Sequence, residues 1–287
     1  MNKVDKNIVR KIYKARPAEA HKYNYGLLLV IGGSEFYSGS PALSAMAAFK
    51  SGVDMVQVIA PKRAADIIAS FSPNLATYSL EGDHLNEEHL STLISMTESA
   101  KVVSPGKTAV VIGGGAGRST ETQKVICDYL SQISIPVVID ADAIHAIAKH
   151  PEVIKGKPFL ITPHAYEFYL LTGNDIKDLD DGKKIKAVKE EAQRLGTTIL
   201  MTGKIDIISN GKEVALNETG NPYLTVGGTG DALAGIAGSI LAQGFEPFVA
   251  AQAAAFINGK AGELVAKVQK EGLLATDLIE AIPKVLH

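Results

Sequence analysis

Short, continuous apolar segments recur along the chain and are separated by longer stretches with helical spacing. Such segments are typical of strands that are buried on both faces, as in parallel sheets. Six strands of this kind are predicted, at residues 27–31, 55–60, 109–112, 136–139, 159–161 and 197–201. A hairpin is expected after them, because Asn210-Gly211 separates two further short runs, at 205–209 and 213–216.

Apolar residues at helical spacing predict helices between and after these strands. The predicted helices are about 2–14, 41–51, 120–131, 229–243, 246–269 and 275–286. Strands that alternate with helices predict right-handed crossovers and a mostly parallel central sheet with helices on both faces. We therefore expect a single α/β domain over residues 1–287.

Composition excludes several classes of protein. Apolar residues make up 46% of the chain, which excludes a disordered protein, and Cys127 has no second cysteine with which to form an intrachain disulfide. The net charge of -2 argues against binding to nucleic acid or to an anionic membrane surface. The sequence has neither a signal-peptide core nor a run of 18 apolar residues, so a cytoplasmic protein that does not span a membrane is predicted.

The most unusual residues follow predicted strands, where ligands bind in open α/β sheets. Gly227, Gly228, Thr229 and Gly230 lead directly into the helix predicted at 229–243. Free N–H groups at a helix N-terminus bind anions, and a phosphoryl group is an anion of suitable size. Asp231 could then accept a proton from a substrate hydroxyl. The structural alternative is a tight glycine turn with an acid that stabilises the helix dipole.

That loop differs from the common phosphate-binding motifs. The loop lacks the Gly-Lys-Ser/Thr of a P-loop, and it is not a Gly-x-Gly-x-x-Gly turn after a strand, so neither a P-loop nor a dinucleotide-binding fold is favoured. The sequence also contains neither a His/Cys cluster with the spacing of a zinc site nor the Gly-x-Ser-x-Gly elbow of a serine hydrolase.

Three other strand ends carry candidate chemistry. The glycine-rich turn at 113–117 tolerates an anion, or is simply a tight connection. Asp140 could orient a substrate hydroxyl, and Mg²⁺ could bind near Asp140 and Glu167. Asp142 is either part of that site or the cap of the next helix. His164 follows a strand as well, and it has either a structural role or a role in substrate binding.

Several motifs in a fixed order resemble those of one family. GGTGDALAGIAGSILAQG resembles the hallmark of the NAD(P)H-hydrate dehydratases, which belong to the ribokinase-like superfamily. VIGGSEFYSGSPALSAMAAFKSGVDMVQV, VVIGGGAGRS, PVVIDADAI, LITPHAYEF and GLLATDLIEAIPKVL resemble further segments of the same family. The resemblance runs from about residue 26 to residue 286 and implies a ribokinase-like fold.

The resemblance also implies an activity and a set of site residues. The enzymes of this family use ADP or ATP to dehydrate NADH and NADPH whose nicotinamide ring has been hydrated. The hydrated dinucleotide would be the partner of this chain, and a nucleotide with Mg²⁺ its cofactor. Asp231 would be the catalytic base, and Gly230 with its neighbours the anion hole. Substrate contacts are implied for Ser40, Gly115 and His164, and nucleotide contacts for Thr202, Gly203, Lys204, Ile205 and Asp206.

The chain departs from the family pattern at several of these positions. Thr202 replaces a lysine, so a cationic phosphate contact is missing or comes from Lys204. Ala165-Tyr166 replaces Pro-Gly after His164, and Asn258 replaces a late histidine. Two alternatives therefore stay open: a small-molecule kinase of the same fold, acting on an alcohol such as hydroxyethylthiazole, and a nucleotide-binding pseudoenzyme. The Ala-rich segment 246–262 is either part of the core or the interface of a homo-oligomer, and the sequence does not decide between the two.

Overall fold

The computed structural model describes residues 2–287 and contains one ten-stranded sheet. The strands lie in the order β1-β10-β9-β8-β7-β6-β5-β2-β3-β4. Strand β9 runs antiparallel to both of its neighbours, and all other pairs are parallel. The strands are β1 (Asn2–Lys3), β2 (Leu27–Ile31), β3 (Met55–Pro61), β4 (Ala76–Leu80), β5 (Thr108–Ile112), β6 (Val137–Ile139), β7 (Phe159–Ile161), β8 (Thr198–Met201), β9 (Asp206–Ser209) and β10 (Val214–Asn217).

Helices cover both faces of the sheet, as predicted. The helices are α1 (Asn7–Ile12), α2 (Gly39–Lys50), α3 (Lys62–Phe71), α4 (Leu90–Val103), α5 (Thr120–Gln132), α6 (Asp142–Ile147), α7 (Ala165–Thr172), α8 (Asp181–Leu195), α9 (Thr229–Ala242), α10 (Pro247–Gln269) and α11 (Ala275–Ala281). The core has two parts, because alternate residues of each strand point to opposite faces. Leu28 and Val30 pack with α1–α3 and α9–α11, whereas Leu29 and Ile31 pack with α4–α8.

The N-terminal helix predicted at about 2–14 is shorter in the structure. Residues Asn2–Lys3 form an edge strand beside β10, and the N–H of Val4 donates to the carbonyl of Leu216. Asp5 then accepts the N–H of Asn7 and starts α1, which ends before the extended Tyr13. The pairing with a distant strand overrides the local helical pattern.

The C-terminal helix also differs from its predicted range of 275–286. Helix α11 ends at Ala281, and Ile282–Lys284 form a 3₁₀ turn. Pro283 lacks the N–H that a continued helix would need. Among residues 2–287, none of the helices combines the length and apolar character needed to cross a membrane.

Helix α9 packs very closely on α2, and this contact fixes the start of α9 at the carboxyl edge of the sheet. A Cβ atom added to Gly235 would lie 2.1 Å from the carbonyl oxygen of Ser44. The Ser44 hydroxyl donates to the Asp231 carbonyl over 2.9 Å. Only a glycine on α9 permits this approach, so the position of Asp231 depends on Gly235.

Gly235→Ala is expected to destabilise the fold. Alanine improves intrinsic helix stability by about 0.5–1 kcal/mol, but overpacking against backbone costs roughly 1–3 kcal/mol and dominates. Urea unfolding measures the difference, with Gly272→Ala as the control, since a Cβ there meets nothing within 4 Å. Equal midpoints for the two variants would contradict the close packing.

Candidate active site

Asp231 lies in the first turn of α9, above the carboxyl ends of the central strands. A Cβ atom added to Gly114, in the turn after β5, would lie 3.1 Å from Asp231 Oδ1 and 2.9 Å from the Cβ of Ser40. Burial raises the pKa of Asp231, and the negative charge of Asp142 adds to this, while a hydrogen bond from Ser40 opposes it. The structure therefore brings Asp231, Ser40, Gly114 and Gly115 together. Gly114 is the contact that the sequence did not identify.

The loop before α9 has the geometry of an anion site. Gly228 has a φ of 96°, and a Cβ there would lie 2.7 Å from Leu43 Cδ1, so only glycine fits. The first intrahelical bond runs from Ala232 N–H to the Gly228 carbonyl. The N–H groups of the three residues before Ala232 therefore have no acceptor within the helix. A Cβ on Gly227 or Gly230 would meet nothing within 4 Å, so the loop leaves space for a ligand.

The Thr229 side chain holds this loop in place by hydrogen bonds to the residues that precede it. Its hydroxyl donates to the carbonyls of Leu224, over 2.9 Å, and Val226, over 3.1 Å. Asn258 Nδ2 on α10 donates to the Thr229 carbonyl over 3.4 Å, and Asn258 Oδ1 is buried with no partner among residues 2–287. Thr229 thus shapes the anion loop through its side chain and leaves its N–H for a ligand.

Asp140 is buried next to this group at the end of β6. Burial, together with the negative charge of Asp231, raises its pKa to about 8, although a hydrogen bond from Thr162 opposes the shift. The Thr162 hydroxyl donates to Asp140 Oδ1 over 2.7 Å. Asp140 is therefore a neutral, fixed carboxyl group at neutral pH. Its contact with substrate stays a prediction.

A pH-dependent stability follows from Asp140. The folded protein keeps the proton up to about pH 8, while an unfolded chain loses it near pH 4. Between these values the unfolded state binds fewer protons, so stability falls as pH rises, by at most about 1.4 kcal/mol per pH unit. Asp140→Asn keeps the acceptor for Thr162 and is expected to flatten this slope. Urea unfolding at several pH values between 5 and 8 tests this, with the exposed Asp178→Asn as control; unchanged slopes in Asp140→Asn would refute it.

Asp142 does not cap the helix that follows it. The cap position is Ala141, which has a φ of 49°, and Asp142 is the first residue of α6. Its carboxylate accepts the N–H of Gly117 over 2.9 Å and Nε of Arg118 over 2.7 Å. The capping alternative is wrong because the side chain points across the strand ends, where it ties the turn after β5 to the one after β6.

His164 has a structural role that the geometry explains. Its Nδ1 accepts the N–H groups of Tyr166, over 3.2 Å, and Glu167, over 3.3 Å, while Glu167 Oε2 accepts the His164 N–H. This reciprocal pair is a capping box for α7. The side chain of His164 stays 57% exposed at the strand end, so a substrate contact remains a prediction.

The residues near the predicted Mg²⁺ fit a metal ion poorly. One carboxyl oxygen of each residue is already bound to a protein donor, because Asp140 accepts the Thr162 hydroxyl and Glu167 accepts the His164 N–H. No three His, Cys, Asp or Glu side chains within residues 2–287 lie close enough together to hold a metal ion. The predicted Mg²⁺ therefore has no ligands assigned in this chain.

The segment predicted to bind nucleotide follows β8 at the same edge of the sheet. The N–H of Thr202 donates to the Pro163 carbonyl, which fixes the segment beside the end of β7. Asp206 accepts the N–H of Gly203 over 3.1 Å and Nδ2 of Asn217 over 2.9 Å, and burial raises its pKa to about 6. Asp206 thus shapes the loop, whereas Lys204 is exposed to solvent. Nucleotide contacts at Thr202, Gly203, Lys204, Ile205 and Asp206 stay predictions.

Curated proteins are similar to this chain in sequence. A protein from Cenarchaeum symbiosum, called ADP-dependent (S)-NAD(P)H-hydrate dehydratase, is 36% identical over 97% of this chain and 94% of its own. A bifunctional NAD(P)H-hydrate repair enzyme from Hyperthermus butylicus is 39% identical over 96% of this chain and 51% of its own. The chain thus spans about half the length of the bifunctional relatives.

Solved structures show the same fold. A ribokinase-like superfamily protein from Enterococcus faecalis has a TM-score of 0.84 at 26% identity, covering 99% of this chain and 95% of its own. The ADP/ATP-dependent NAD(P)H-hydrate dehydratase of Bacillus subtilis, co-crystallised with ATP/Mg²⁺, has a TM-score of 0.79 at 24% identity. This match covers 99% of this chain and 97% of the Bacillus subtilis chain. The family model described as NAD(P)H-hydrate dehydratase matches residues 28–284. With its ribokinase-like fold, this chain belongs to the NAD(P)H-hydrate dehydratase family.

Proposed function

We propose that this protein uses ADP or ATP to dehydrate hydrated NADH and NADPH and so repairs these cofactors. The observation that supports this most strongly is the position of Asp231, beside Ser40 and Gly114 and at the mouth of an open anion loop. A base next to an anion site suits the transfer of a phosphoryl group to a hydroxyl. Membership of the dehydratase family supplies the substrate.

In the proposed reaction Asp231 accepts a proton, and the backbone N–H groups at the start of α9 bind the transferring group. Asp231 accepts the proton of the ring hydroxyl as the hydroxyl oxygen bonds to the terminal phosphorus and the bond to the bridging oxygen of the nucleotide breaks. The free N–H groups that precede Ala232 stabilise the charge on the transferring group. Phosphate then leaves from the ring carbon with the electron pair of the C–O bond. The neighbouring carbon gives its proton to the departing phosphate, and the electron pair of that C–H bond forms the ring double bond.

The nucleotide would bridge two loops. Thr202–Asp206 would hold its outer part and Gly227–Gly230 its phosphates, since both segments lie at the carboxyl edge of the sheet. The family's lysine is Thr202 here, so backbone N–H groups and Lys204 would replace its charge. Mg²⁺ stays a prediction, since no group of side chains within residues 2–287 is arranged to hold it. The choice between ADP and ATP, a cytoplasmic location and a homo-oligomeric state stay predictions from the sequence.

The test is an assay with hydrated NADH and either nucleotide. Recovery of the dihydronicotinamide absorbance, absent without nucleotide, is the expected result. A stable phosphorylated alcohol as product would instead support the kinase alternative. Nucleotide binding without turnover, unchanged in Asp231→Ala, would support the pseudoenzyme.

A further inference from the structure

Asn217 is a fully buried polar residue at the end of β10. Strand β9 is antiparallel to both β8 and β10, so β10 runs in the direction of β8 and ends at the same carboxyl edge of the sheet. In the register of β9 and β10, Asn217 lies opposite Asp206, the last residue of the segment predicted to bind nucleotide. A buried amide needs partners for its N–H groups and its oxygen. The partners of Asn217 therefore show which parts of the chain its side chain holds.

The Asn217 amide bonds to three segments of the chain. Its Nδ2 donates to Asp206 Oδ2 over 2.9 Å, and to the carbonyls of Thr219 and Ala255 over 3.4 and 3.3 Å. Its Oδ1 accepts the Thr219 hydroxyl over 2.9 Å. Asp206 has a pKa of about 6 and is ionised at neutral pH, and hydrogen bonds to a charged group are stronger than neutral ones. The bond to Asp206 is therefore the principal contact of Asn217.

Asp206 transmits this restraint to the segment 202–206. Its second oxygen, Oδ1, accepts the N–H of Gly203 over 3.1 Å. One carboxylate thus closes the loop around Lys204 and at the same time ties it to Asn217 on β10. Without Asn217 the carboxylate would keep one of these two donors and would be free to turn away from the loop.

Helix α10 connects the same group to the anion loop. A Cβ atom on Gly259 would lie 2.2 Å from Thr219 Oγ1, so the chain that follows β10 packs directly on this helix. The preceding residue of the helix, Asn258, donates to the Thr229 carbonyl over 3.4 Å. The turn of α10 at 255–259 therefore contacts both segments that would hold the nucleotide.

We propose that Asn217 is a positioning residue for the nucleotide. Through Asp206 it holds the segment 202–206 in shape, and through α10 it keeps that segment at a fixed distance from the anion loop at 227–230. Its side chain is fully buried, so it acts through Asp206 and not by contact with the nucleotide. The inference rests on the proposed function, which places the nucleotide between these two segments.

Titration with ADP and with ATP, without hydrated substrate, measures this role directly. Asn217→Ala is expected to raise the nucleotide Kd at least about tenfold, as for the loss of a hydrogen bond to a charged group. Asn217→Leu, which is closer to asparagine in volume, is expected to give the same result and serves if alanine leaves a cavity that unfolds the protein. In steady-state kinetics the KM for nucleotide is expected to rise, while the KM for hydrated NADH stays nearly unchanged.

A double-mutant cycle tests the route through Asp206. Asp206→Ala alone is expected to raise the nucleotide Kd. Adding Asn217→Ala to it is expected to raise the Kd by less than about twofold more, because the carboxylate that Asn217 holds is already gone. Losses that multiply in the double variant, or equal rises in both KM values in Asn217→Ala, would overturn the positioning role.

Asn174→Ala is the matched control. Asn174 Nδ2 also donates to a carboxylate, Glu191 Oε1, over 2.8 Å. It follows the end of α7, which starts at the carboxyl edge, so this bond lies roughly 12 Å away from that edge. The control is expected to keep the wild-type nucleotide Kd. An unchanged Kd in the folded Asn217 variants, or an equal rise in Asn174→Ala, would overturn the inference. Failure of the wild-type protein to bind either nucleotide would instead overturn the proposed function.

Discussion

Asp231→Asn is expected to lower kcat by about 10²–10⁴, because it removes the base and keeps the shape of the side chain. The amide still fits beside Gly114 and Ser40, so substrate and nucleotide binding are expected to change much less. Steady-state kinetics together with nucleotide titration separates the two effects. Wild-type turnover in Asp231→Asn would exclude Asp231 as the base.

The ionisation of Asp231 also sets the expected pH dependence of activity in the wild-type protein. Asp231 must be ionised to accept a proton, and burial raises its pKa above the ordinary range of a carboxyl group. Activity is therefore expected to rise with pH through a pKa above that range. Ser40→Ala removes a hydrogen bond that favours the charged form, so it is expected to move the rise to higher pH. A shift to lower pH would contradict this assignment.

Gly114→Ala is expected to lower kcat/KM by about 10²-fold. Its Cβ would approach Asp231 Oδ1 and the Ser40 Cβ within 3.1 Å, so one of these groups must move. A displacement of about 1 Å in a catalytic group costs on the order of 10²-fold in rate.

Kinetics and thermal unfolding of Gly114→Ala are measured beside Gly272→Ala, where the added methyl group has open space. Gly114→Ala is expected to lose most of its activity with a nearly unchanged unfolding temperature, and Gly272→Ala is expected to keep both its activity and its unfolding temperature. Full activity in Gly114→Ala would show that the turn after β5 does not confine Asp231.

The sheet could be predicted because its central strands are buried on both faces. Residues 27–31 and 159–161 are wholly apolar and have the predicted bounds in the structure. Strand β4, Ala76–Leu80, was not predicted, since it lies at the sheet edge and exposes Ala76, Tyr78 and Ser79. Short strand β1 depends on a partner 213 residues away, which no local pattern reveals.

The site could be predicted only in part, for a related reason. Asp231 and the glycines before it lie together in the sequence, so their chemistry is visible there. The contact of Gly114 with Asp231 joins two segments more than 100 residues apart, and Asp140 meets Thr162 across neighbouring strands. The first contact confines Asp231 and the second fixes the Asp140 carboxyl group, and both arise only when the strand ends meet at one edge of the sheet.

The decisive measurement is the stoichiometry of a single reaction with hydrated NADH. Phosphate release and the dihydronicotinamide absorbance are followed together, in the wild-type protein and in Asp231→Asn. We expect one phosphate released for each dihydronicotinamide restored, with both signals lost together in Asp231→Asn. Phosphate release without recovery of absorbance, or recovery without nucleotide, would contradict nucleotide-driven dehydration at Asp231.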